Sequence, residues 1–369
     1  MSVVKHVFKE VNNWDFMKFT RDLIDKWYVK TRKQLFRKFP DPEDAHHRFV
    51  KASQLINKFG LEDFLFDCPE NRLNPGFEIS NAAGFNKDGS IPPTFLKALG
   101  FDRVVVGTVT ADPWKGNPRP RIVRYPGTES MVNWMGLPGL GVKRIAENLE
   151  EYGFHQVPIT INLMSTPGKT GEELLRDLID TIIRTKYLNG VDRYELNISC
   201  PNTHSTSGKG DPRKEYQNQL ASMLNMVNNA KGKSQQVYLK VSPDLKKEDI
   251  KKIVEVAQQY AISGFTTTNT TTYHDDIFIT HKPNEEGKGG ASGNAVYDKS
   301  YKTQQAFRDA INEGSYQFSL IACGGIDSAE RVRFRTICEK VNGVQIFTPL
   351  IFKGPALLRE LRRTNRRVI

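Results

Sequence analysis

Eight short apolar runs, separated by segments with helical periodicity, constrain the fold of this chain more than any other feature. The runs lie at residues 77–80, 103–107, 157–161, 193–198, 237–241, 264–268, 318–322 and 343–347. Amphipathic helices are predicted between several of them, for example over residues 172–185 and 247–260. Strands that alternate with helices form parallel sheets, because a parallel connection needs a long crossover. Eight such units predict an α/β fold of the closed (β/α)₈ TIM-barrel type rather than an open sheet.

The beginning of the chain has a different pattern, and we predict that residues 1–70 form a helical extension to a barrel domain of residues 71–369. An apolar stripe recurs there at helical spacing: Phe16, Phe19, Leu23, Trp27 and Tyr28. A second helix is predicted to begin at Asp41, because Pro42 follows it and acidic residues fill the next positions. The extension is either a helical pair that packs on the barrel or a hairpin that faces a membrane. Periodicity alone does not separate the two.

Charge and cysteine usage restrict the partners. The formal net charge is +11, and basic residues cluster near both termini. This excess suggests an anionic partner, which is a nucleic acid, a membrane surface or an acidic small molecule, although a solvated basic surface explains it equally well. The 4 cysteines have no CxxC spacing and no histidine grouping, which argues against a zinc site or a disulfide framework. Because no stretch approaches the roughly 18 apolar residues of a membrane-spanning helix, we expect a chain that is soluble or lies on a membrane.

Polar residues and glycines directly follow nearly every predicted strand. They lie at 82–87 after the first strand, 197–202 at the fourth, 268–271 after the sixth and 324–325 after the seventh. In this fold the carboxyl ends of the strands carry the active site. The ring contains amides, hydroxyls, two lysines and one cysteine, and asparagines suit a planar ligand that both donates and accepts hydrogen bonds. The glycine pairs at 289–290 and 324–325, both expected at late strand ends, suit a phosphate. Together these features predict flavin mononucleotide (FMN).

Several segments resemble the dihydroorotate dehydrogenase family. The most specific combination is NISCPNT at 197–203, TNTT at 268–271 and GGIDS at 324–328. Further matching segments are NAAGFNKDG at 81–89, GNPRPRIVR at 116–124, NWMGLPGLG at 133–141, GGASG at 289–293 and IFKGP at 351–355. The resemblance extends from about residue 35 to residue 356. It implies FMN-dependent oxidation of (S)-dihydroorotate to orotate in de novo pyrimidine biosynthesis.

The resemblance also implies roles for individual residues. Cys200 matches the base that removes the C5 proton of the substrate. Positions that hold the carboxylate and ring edges of orotate are matched by Lys87, Asn133, Asn197, Asn202, Asn269 and Thr270. Flavin contacts are matched by Ala83, Gly84, Thr108, Asn162, Asn197, Lys240, Thr268, Gly293, Gly325 and Thr348. Among these, Lys240 matches a lysine beside N1 and O2 of the flavin, where a cation stabilises the reduced anion.

Features of two classes of this family are combined in the chain. The quinone-reducing, membrane-associated class normally has serine at position 200, whereas the soluble class has cysteine, as here, and a segment similar to 133–141. In contrast, DPEDAHHRF at 41–49, the preceding helical segment and GNPRPRIVR resemble the quinone class. His46 and Arg124 match positions that line its quinone tunnel, and Phe347 replaces a tyrosine common there. The extension carries more weight, because the base differs by one atom while a long helical segment needs a purpose.

We therefore predict a quinone-reducing enzyme with a cysteine base, bound peripherally to an anionic membrane at its cytoplasmic face, with neither metal nor nucleic acid as a partner. Removal of residues 1–70 is expected to abolish quinone reduction and to leave flavin reduction by dihydroorotate largely intact. Three alternatives stay open: a soluble, fumarate-reducing dihydroorotate dehydrogenase, a flavin barrel that modifies tRNA, and a non-catalytic barrel whose basic extension binds a partner.

Overall fold

A barrel of parallel strands forms the centre of the computed structural model, which describes residues 14–66, 76–199, 212–273 and 289–365. The strands in chain order are β1 (Glu78–Asn81), β2 (Val104–Val109), β3 (Ile122–Tyr125), β4 (Ser130–Asn133), β5 (Ile159–Leu163), β6 (Val191–Asn197), β7 (Gln236–Val241), β8 (Gly264–Thr267), β9 (Gly290–Gly293), β10 (Ser319–Cys323) and β11 (Gly343–Ile346). Eight of them pair in the order β1-β11-β10-β8-β7-β6-β5-β2, and a bridge between Ser80 and Arg103 brings β1 against β2. The predicted (β/α)₈ barrel is confirmed.

Helices surround the barrel and bury its outer face. In chain order they are α1 (Trp14–Lys38), α2 (Pro42–Phe59), α3 (Glu62–Leu65), α4 (Pro93–Leu99), α5 (Val142–Glu150), α6 (Gly171–Thr185), α7 (Pro212–Ala230), α8 (Lys247–Gln259), α9 (Tyr297–Glu313), α10 (Ala329–Ile337), α11 (Thr348–Lys353) and α12 (Ala356–Asn365). Leu178 of α6, Ile253 of α8 and Phe307 of α9 are almost completely buried in the core. This burial follows from the apolar stripe that each helix turns toward the strands.

A second, antiparallel sheet was not predicted from the sequence. It has the order β3-β4-β9 and pairs Asn133 with Gly290 and Ser130 with Gly293. The glycine pair 289–290 therefore lies at the beginning of β9 in this small sheet, within the connection that follows β8, and not directly at the end of a barrel strand as expected. A Cβ atom at Gly290 would lie 2.0 Å from Oγ1 of Thr270, so the two segments approach too closely for any side chain.

The helical extension packs on the barrel. Helix α2 begins as predicted, because the Asp41 carboxylate accepts a hydrogen bond from the Glu43 amide at 2.9 Å. It ends at Gly60, which adopts the left-handed conformation with φ of 64°. The Tyr28 hydroxyl of α1 donates to the Ile351 carbonyl at 2.7 Å and so joins the extension to α11. Within the described ranges, none of the helices has the length and apolar character that crossing a membrane requires.

Candidate active site

One cavity of about 1990 Å³ lies above the carboxyl ends of the barrel strands and continues between the barrel and helices α1 and α2. Pockets for a single drug-sized ligand typically measure ~300–1,000 Å³, so this cavity has room for more than one ligand. We call the part at the strand ends the polar end, defined by Lys87, Asn133, Asn197, Asn269 and Thr270. The part under the helices is the apolar end, defined by Phe36, Phe39, His46, Phe49, Phe85, Arg124 and Phe347.

Amide side chains at the polar end orient one another. Asn197 is the last residue of β6, and its Oδ1 accepts a hydrogen bond from Nδ2 of Asn269 at 3.3 Å. Its own Nδ2 lies 3.5 Å from Oγ1 of Thr108 on β2. The Thr270 amide donates to Oδ1 of Asn269 at 2.9 Å. Because each amide is held by a neighbour, the donors and acceptors face the cavity in fixed directions, as a planar ligand with polar edges requires.

A cation lies at the same end. Lys87 follows β1 and lines the cavity, and burial lowers the pKa of its ammonium group to about 8, while the nearby Asp88 carboxylate partly opposes this shift. The group therefore stays protonated at neutral pH. A partly desolvated ammonium binds a carboxylate ligand through a strong, charge-assisted hydrogen bond.

The floor of the polar end is a buried hydrogen-bond network. Nζ of Lys240 donates to Oε1 of Gln345 at 2.8 Å and lies 3.8 Å from the Glu195 carboxylate. Asn162 donates from Nδ2 to the same carboxylate at 2.7 Å. Oδ1 of Asn162 is buried and has no hydrogen-bond partner among the described residues. Because buried acceptors are normally satisfied, this atom fits a ligand N–H group such as a flavin ring provides.

Three backbone segments approach closely on another side of the cavity and leave space lined by main chain. A Cβ atom at Gly325 would lie 2.7 Å from the Gly293 carbonyl, and one at Gly293 would lie 2.7 Å from Cγ2 of Thr348. The hydroxyls of Ser292 and Thr348 are 2.8 Å apart. A concavity lined by glycine backbone and hydroxyl groups suits a phosphate, so these residues fit the phosphate of a flavin nucleotide.

The apolar end is built from aromatic rings. The ring of His46 on α2 lies 6.0 Å from that of Phe85 and 6.4 Å from that of Phe49, measured between centroids. Burial lowers the pKa of His46 to about 4, and the neighbouring His47 contributes in the same direction. Phe347 packs edge-on against Phe85 with the centroids 5.4 Å apart. At neutral pH this wall is therefore uncharged around His46 and suits an apolar ligand.

Arg124 adds one cation to this end. Its guanidinium lies 4.4 Å from the centroid of the Phe36 ring and donates to the carbonyls of Phe39 and Pro40. These contacts join β3 to the segment between α1 and α2. Arg124 therefore both lines the cavity and fixes the corner of the extension.

Comparison with known proteins agrees with this geometry. The sequence model of the family described as "Dihydroorotate dehydrogenase" matches residues 71–367. This chain belongs to the dihydroorotate dehydrogenase family. Among individual relatives of the family, a protein named "Dihydroorotate dehydrogenase (quinone)" from Neisseria meningitidis serogroup C is 31% identical over 349 residues, which cover 90% of this chain and 98% of the relative. A relative with the same name from Nitrosomonas europaea is 30% identical over 337 residues, covering 86% and 92%.

Solved structures support the fold of the family. DHODH from Eimeria tenella, crystallised in complex with ferulenol, superposes on 88% of this chain and 91% of its own with a TM-score of 0.72. The sequence identity between the two chains is 23%. At this identity the similarity establishes the shared barrel and its helical surroundings.

Most residues predicted from the resemblance to dihydroorotate dehydrogenases converge on the cavity. The lining residues are Lys87, Asn133, Asn197, Asn269, Thr270, Ala83, Gly84, Thr108, Lys240, Thr268, Gly293, Gly325, Thr348, His46 and Arg124. Asn162 is not one of the lining residues but belongs to the floor network. Cys200 and Asn202 lie outside the described residues. The preceding Ser199 is held at the polar end, because its hydroxyl donates to the Lys240 carbonyl at 2.9 Å.

Two buried carboxylates close to the cavity, Glu195 and Glu43, were not predicted from the sequence. Glu195 belongs to the floor network, and its signal is a carboxylate within the buried strand β6. Glu43 is the second, and both of its carboxylate oxygens accept from Arg121 at 2.9 and 3.0 Å. Arg121 also donates to the carbonyls of Lys115 and Asn117, each at 2.8 Å. A motif match does not reveal such pairs, because the partners are about 78 residues apart in the chain.

The Glu43–Arg121 pair revises one expectation. Removing residues 1–70 would leave Arg121, which is 8% exposed, without its carboxylate partner. Removal of one partner from a buried pair is strongly destabilising, because the remaining charge is uncompensated. Arg121 supports the loops that precede Asn133, so truncation would disturb the polar end as well. Point variants at the apolar end therefore distinguish reduction of a quinone from reduction of the flavin by dihydroorotate better than truncation does.

Proposed function

We propose that the protein oxidises (S)-dihydroorotate to orotate with an FMN cofactor and passes the electrons to a quinone. The observation that supports this best is the single cavity that joins the polar end, with its amides and Lys87, to the apolar end beneath α1 and α2. A polar heterocyclic acid fits the first and a hydrophobic acceptor fits the second. The relatives from Neisseria and Nitrosomonas carry both the substrate and the acceptor in their names.

The cofactor would occupy the space between these two ends. Gly293, Gly325 and Thr348 would surround its phosphate, and Asn162 and Lys240 would face the polar edge of its ring system. Backbone from Ala83, Gly84, Thr108 and Thr268 would complete the wall. When bound, FMN supplies an acceptor for the hydride that leaves C6 of the substrate.

The chain itself contributes binding and proton transfer. Lys87 would hold the substrate carboxylate, while the amides of Asn133, Asn197 and Asn269, with the Thr270 hydroxyl and the Asn202 amide, would hold the ring edges. Cys200, as a thiolate, would take the proton from C5 and become a thiol. The electron pair of the broken C5–H bond then forms the C5=C6 double bond as hydride departs from C6. One proton and one hydride leave, so the substrate loses two electrons.

At the apolar end, His46 and Arg124 would contact the quinone head while the rings of Phe36, Phe49 and Phe85 surround its apolar part. His46, uncharged at neutral pH, serves as a hydrogen-bonding group without an added charge. Phe347 presents a ring without a hydroxyl at the point where it packs on Phe85. Binding there therefore relies on apolar contact more than on a tyrosine hydroxyl.

The outer surface of α1 supports peripheral binding to an anionic membrane. Phe19, Leu23 and Trp27 recur every four residues and are 64%, 56% and 54% exposed. Exposed apolar residues that share a helix face with flanking lysines and arginines are typical of helices that lie in a membrane interface. The basic residues favour anionic lipid, which on a cytoplasmic face would supply the negative charge. A quinone dissolved in that membrane would reach the cavity between α1 and α2.

The relatives do not favour the soluble, fumarate-reducing alternative, because those reported above are named as quinone enzymes. An apolar approach is also ill suited to the dianion fumarate.

Cofactor and substrate are tested together by spectroscopy. Purified protein is expected to be yellow, and the pigment released by denaturation is expected to have the mass of FMN. Anaerobic dihydroorotate should bleach the flavin bands completely, with one orotate formed for each flavin. A colourless protein, or a flavin that dihydroorotate does not bleach, contradicts the proposal and supports a non-catalytic barrel or a tRNA-modifying flavoprotein.

A further inference from the structure

A carboxylate lies in the middle of the barrel, below the residues proposed to hold the flavin. Glu195 is on β6, two residues before Asn197, and it is 1% exposed. Residues two apart on a strand point to the same side, so both side chains point inward. Asn197 and Lys240 line the cavity, whereas Glu195 lies beneath them. Any effect of Glu195 on a bound ligand is therefore transmitted through these neighbours.

Four strands besides β6 contribute partners to this carboxylate. It accepts hydrogen bonds from the Thr266 hydroxyl on β8, from Nε2 of Gln345 on β11 at 2.7 Å and from Nδ2 of Asn162 on β5 at 2.7 Å. Lys240 on β7 places Nζ 3.8 Å from its Oε1. Gln345 also accepts from Nζ of Lys240, so its amide bridges the two charges. The network fixes the directions of Lys240 and Asn162.

This floor departs from the usual interior of such barrels, which is filled by layers of Val, Ile and Leu. Burying a carboxylate and an ammonium together contributes little net stability, because desolvation offsets their attraction. Apolar residues of similar volume would fill the same space as well or better. The position of the pair, immediately under the polar end, favours a role toward the ligand.

We propose that Glu195 is a positioning residue that holds Lys240 and Asn162 toward the flavin and sets the electron affinity of that flavin. The inference rests on the proposed function, since it requires a flavin in the cavity. Reduction adds negative charge to the ring system, and Lys240 stabilises that charge. The carboxylate opposes part of this effect, because like charges in a buried site repel. Glu195 thereby keeps the flavin a good enough reductant to pass electrons to a quinone.

The variant Glu195→Gln tests the inference, because it removes the charge and preserves the shape. We expect the equilibrium for two-electron reduction to shift at least tenfold toward the reduced flavin, which corresponds to a rise in potential of about 30 mV. The potential is measured by anaerobic titration against a reference dye. A potential that stays within this margin of the wild-type value, or that falls, contradicts the inference.

Two control variants separate charge from packing. Glu78→Gln makes the same charge change at the other end of the barrel, where Glu78 pairs with Arg103 and Arg193, and should leave the potential unchanged. Thr266→Val removes one hydrogen bond from Glu195 without changing its charge, and should shift the equilibrium by well under tenfold. If Thr266→Val raises the potential as far as Glu195→Gln does, the packing of the network controls the flavin and the inference is wrong.

If Glu195→Gln does not retain flavin, Glu195→Asp becomes the deciding variant. It keeps the negative charge, but the side chain is shorter by one methylene, so the charge lies farther from Lys240. We expect a smaller rise in the flavin potential than the rise predicted for Glu195→Gln, and an unchanged or lower potential contradicts the inference. The titration requires bound flavin but no substrate. A wild-type flavin that dihydroorotate does not reduce therefore counts against the proposed function, while the potential of the variants still decides this inference.

Discussion

The two ends of the cavity are made by different parts of the chain and hold their side chains by different forces. At the polar end, Asn197 and Asn269 come from strand ends and fix each other through directional hydrogen bonds. At the apolar end, His46 and Phe49 come from helix α2 and pack against Phe85, a contact that has little directional preference. The residues proposed to hold the substrate in a fixed geometry therefore come from the barrel, whereas the residues proposed to admit the acceptor come largely from the helical extension.

The difference implies that the two half-reactions respond to different substitutions. Side chains at the polar end should govern reduction of the flavin, and side chains at the apolar end should govern its reoxidation. The Glu43–Arg121 pair is one buried contact between helix α2 of the extension and the barrel domain, and its loss should affect both ends. Variants away from this pair should therefore affect one half-reaction and leave the other unchanged.

Cys200→Ala should have the largest effect. Loss of a general base typically slows a reaction by ~10²–10⁴-fold, so bleaching of the flavin by dihydroorotate should slow by that factor in anaerobic stopped-flow measurements. Reoxidation of chemically reduced flavin by a short-chain ubiquinone should keep its wild-type rate. Cys338→Ala, at an exposed cysteine, is the matched control. Full-speed bleaching in Cys200→Ala would remove the base from the mechanism.

Lys87→Met should weaken binding at the polar end by ~10–100-fold, the range expected for loss of a hydrogen bond between charged groups. The dissociation constant of orotate, measured from its effect on the flavin spectrum, reports this directly. Because the pKa of Lys87 is about 8, the wild-type constant should stay level below pH 8 and rise above it as the ammonium loses its proton. The variant should lack this rise. The control variant Lys97→Met, at an exposed lysine, should bind orotate with the wild-type dissociation constant. If the dissociation constant of Lys87→Met still rises above pH 8, a group other than Lys87 causes the rise.

Arg124→Met should raise the Michaelis constant for quinone about tenfold, because the variant loses one charged hydrogen-bond donor at the apolar end. The rate of flavin bleaching by dihydroorotate should stay within about a factor of two of the wild-type rate, because substitutions at distant sites usually act independently to within roughly that margin. Arg144→Met, at an exposed position of helix α5, controls for the loss of surface charge. Slower bleaching in Arg124→Met would show that the two ends are not separable at this position.

His46→Phe should change how the stability of the fold responds to acid. The pKa of His46 is about 4 in the folded protein and 6.5 in an ordinary histidine, so the unfolded chain binds its proton first as the pH falls. The contribution of neutral His46 to the free energy of unfolding is fully present above pH 6.5 and is lost as the pH falls from 6.5 to 4. The loss should be on the order of 3 kcal/mol, because each unit of pKa shift corresponds to about 1.4 kcal/mol. Thermal melts across this range should show a shallower decline for His46→Phe, and equal declines would mean that His46 titrates normally.

The barrel could be predicted from the sequence because buried parallel strands are nearly continuous apolar runs. All eight predicted runs overlap the strands of the barrel, for example residues 237–241 with β7 (Gln236–Val241). The small sheet could not be predicted in this way. Its strand β9 reads Gly-Ala-Ser-Gly, which has low strand propensity, and it pairs with β4, about 160 residues earlier in the chain. Tertiary pairing, which local patterns do not encode, creates it.

The candidate site divides in a similar way. Residues that follow strands, such as Lys87 and Asn269, could be predicted because the barrel brings all strand ends to one edge. The floor network could not, because its geometry depends on which inward positions of β5, β6, β7, β8 and β11 lie level with one another. The charged residue in the middle of strand β6, Glu195, was the available signal. Cys200, the predicted base, lies outside the described residues and stays a prediction.

The most direct test of the two-ended cavity is a comparison of acceptors in the second half-reaction. Flavin reduced by dihydroorotate is mixed anaerobically with a short-chain ubiquinone or with fumarate, and its reoxidation is followed at the flavin absorbance. We predict that ubiquinone reoxidises the flavin at least about a hundredfold faster than fumarate does, which corresponds to a difference of ~3 kcal/mol between the two activation barriers. Arg124→Met should make this ratio of rates smaller. Equal rates with the two acceptors, or faster reoxidation by fumarate, would contradict an apolar end that serves a quinone.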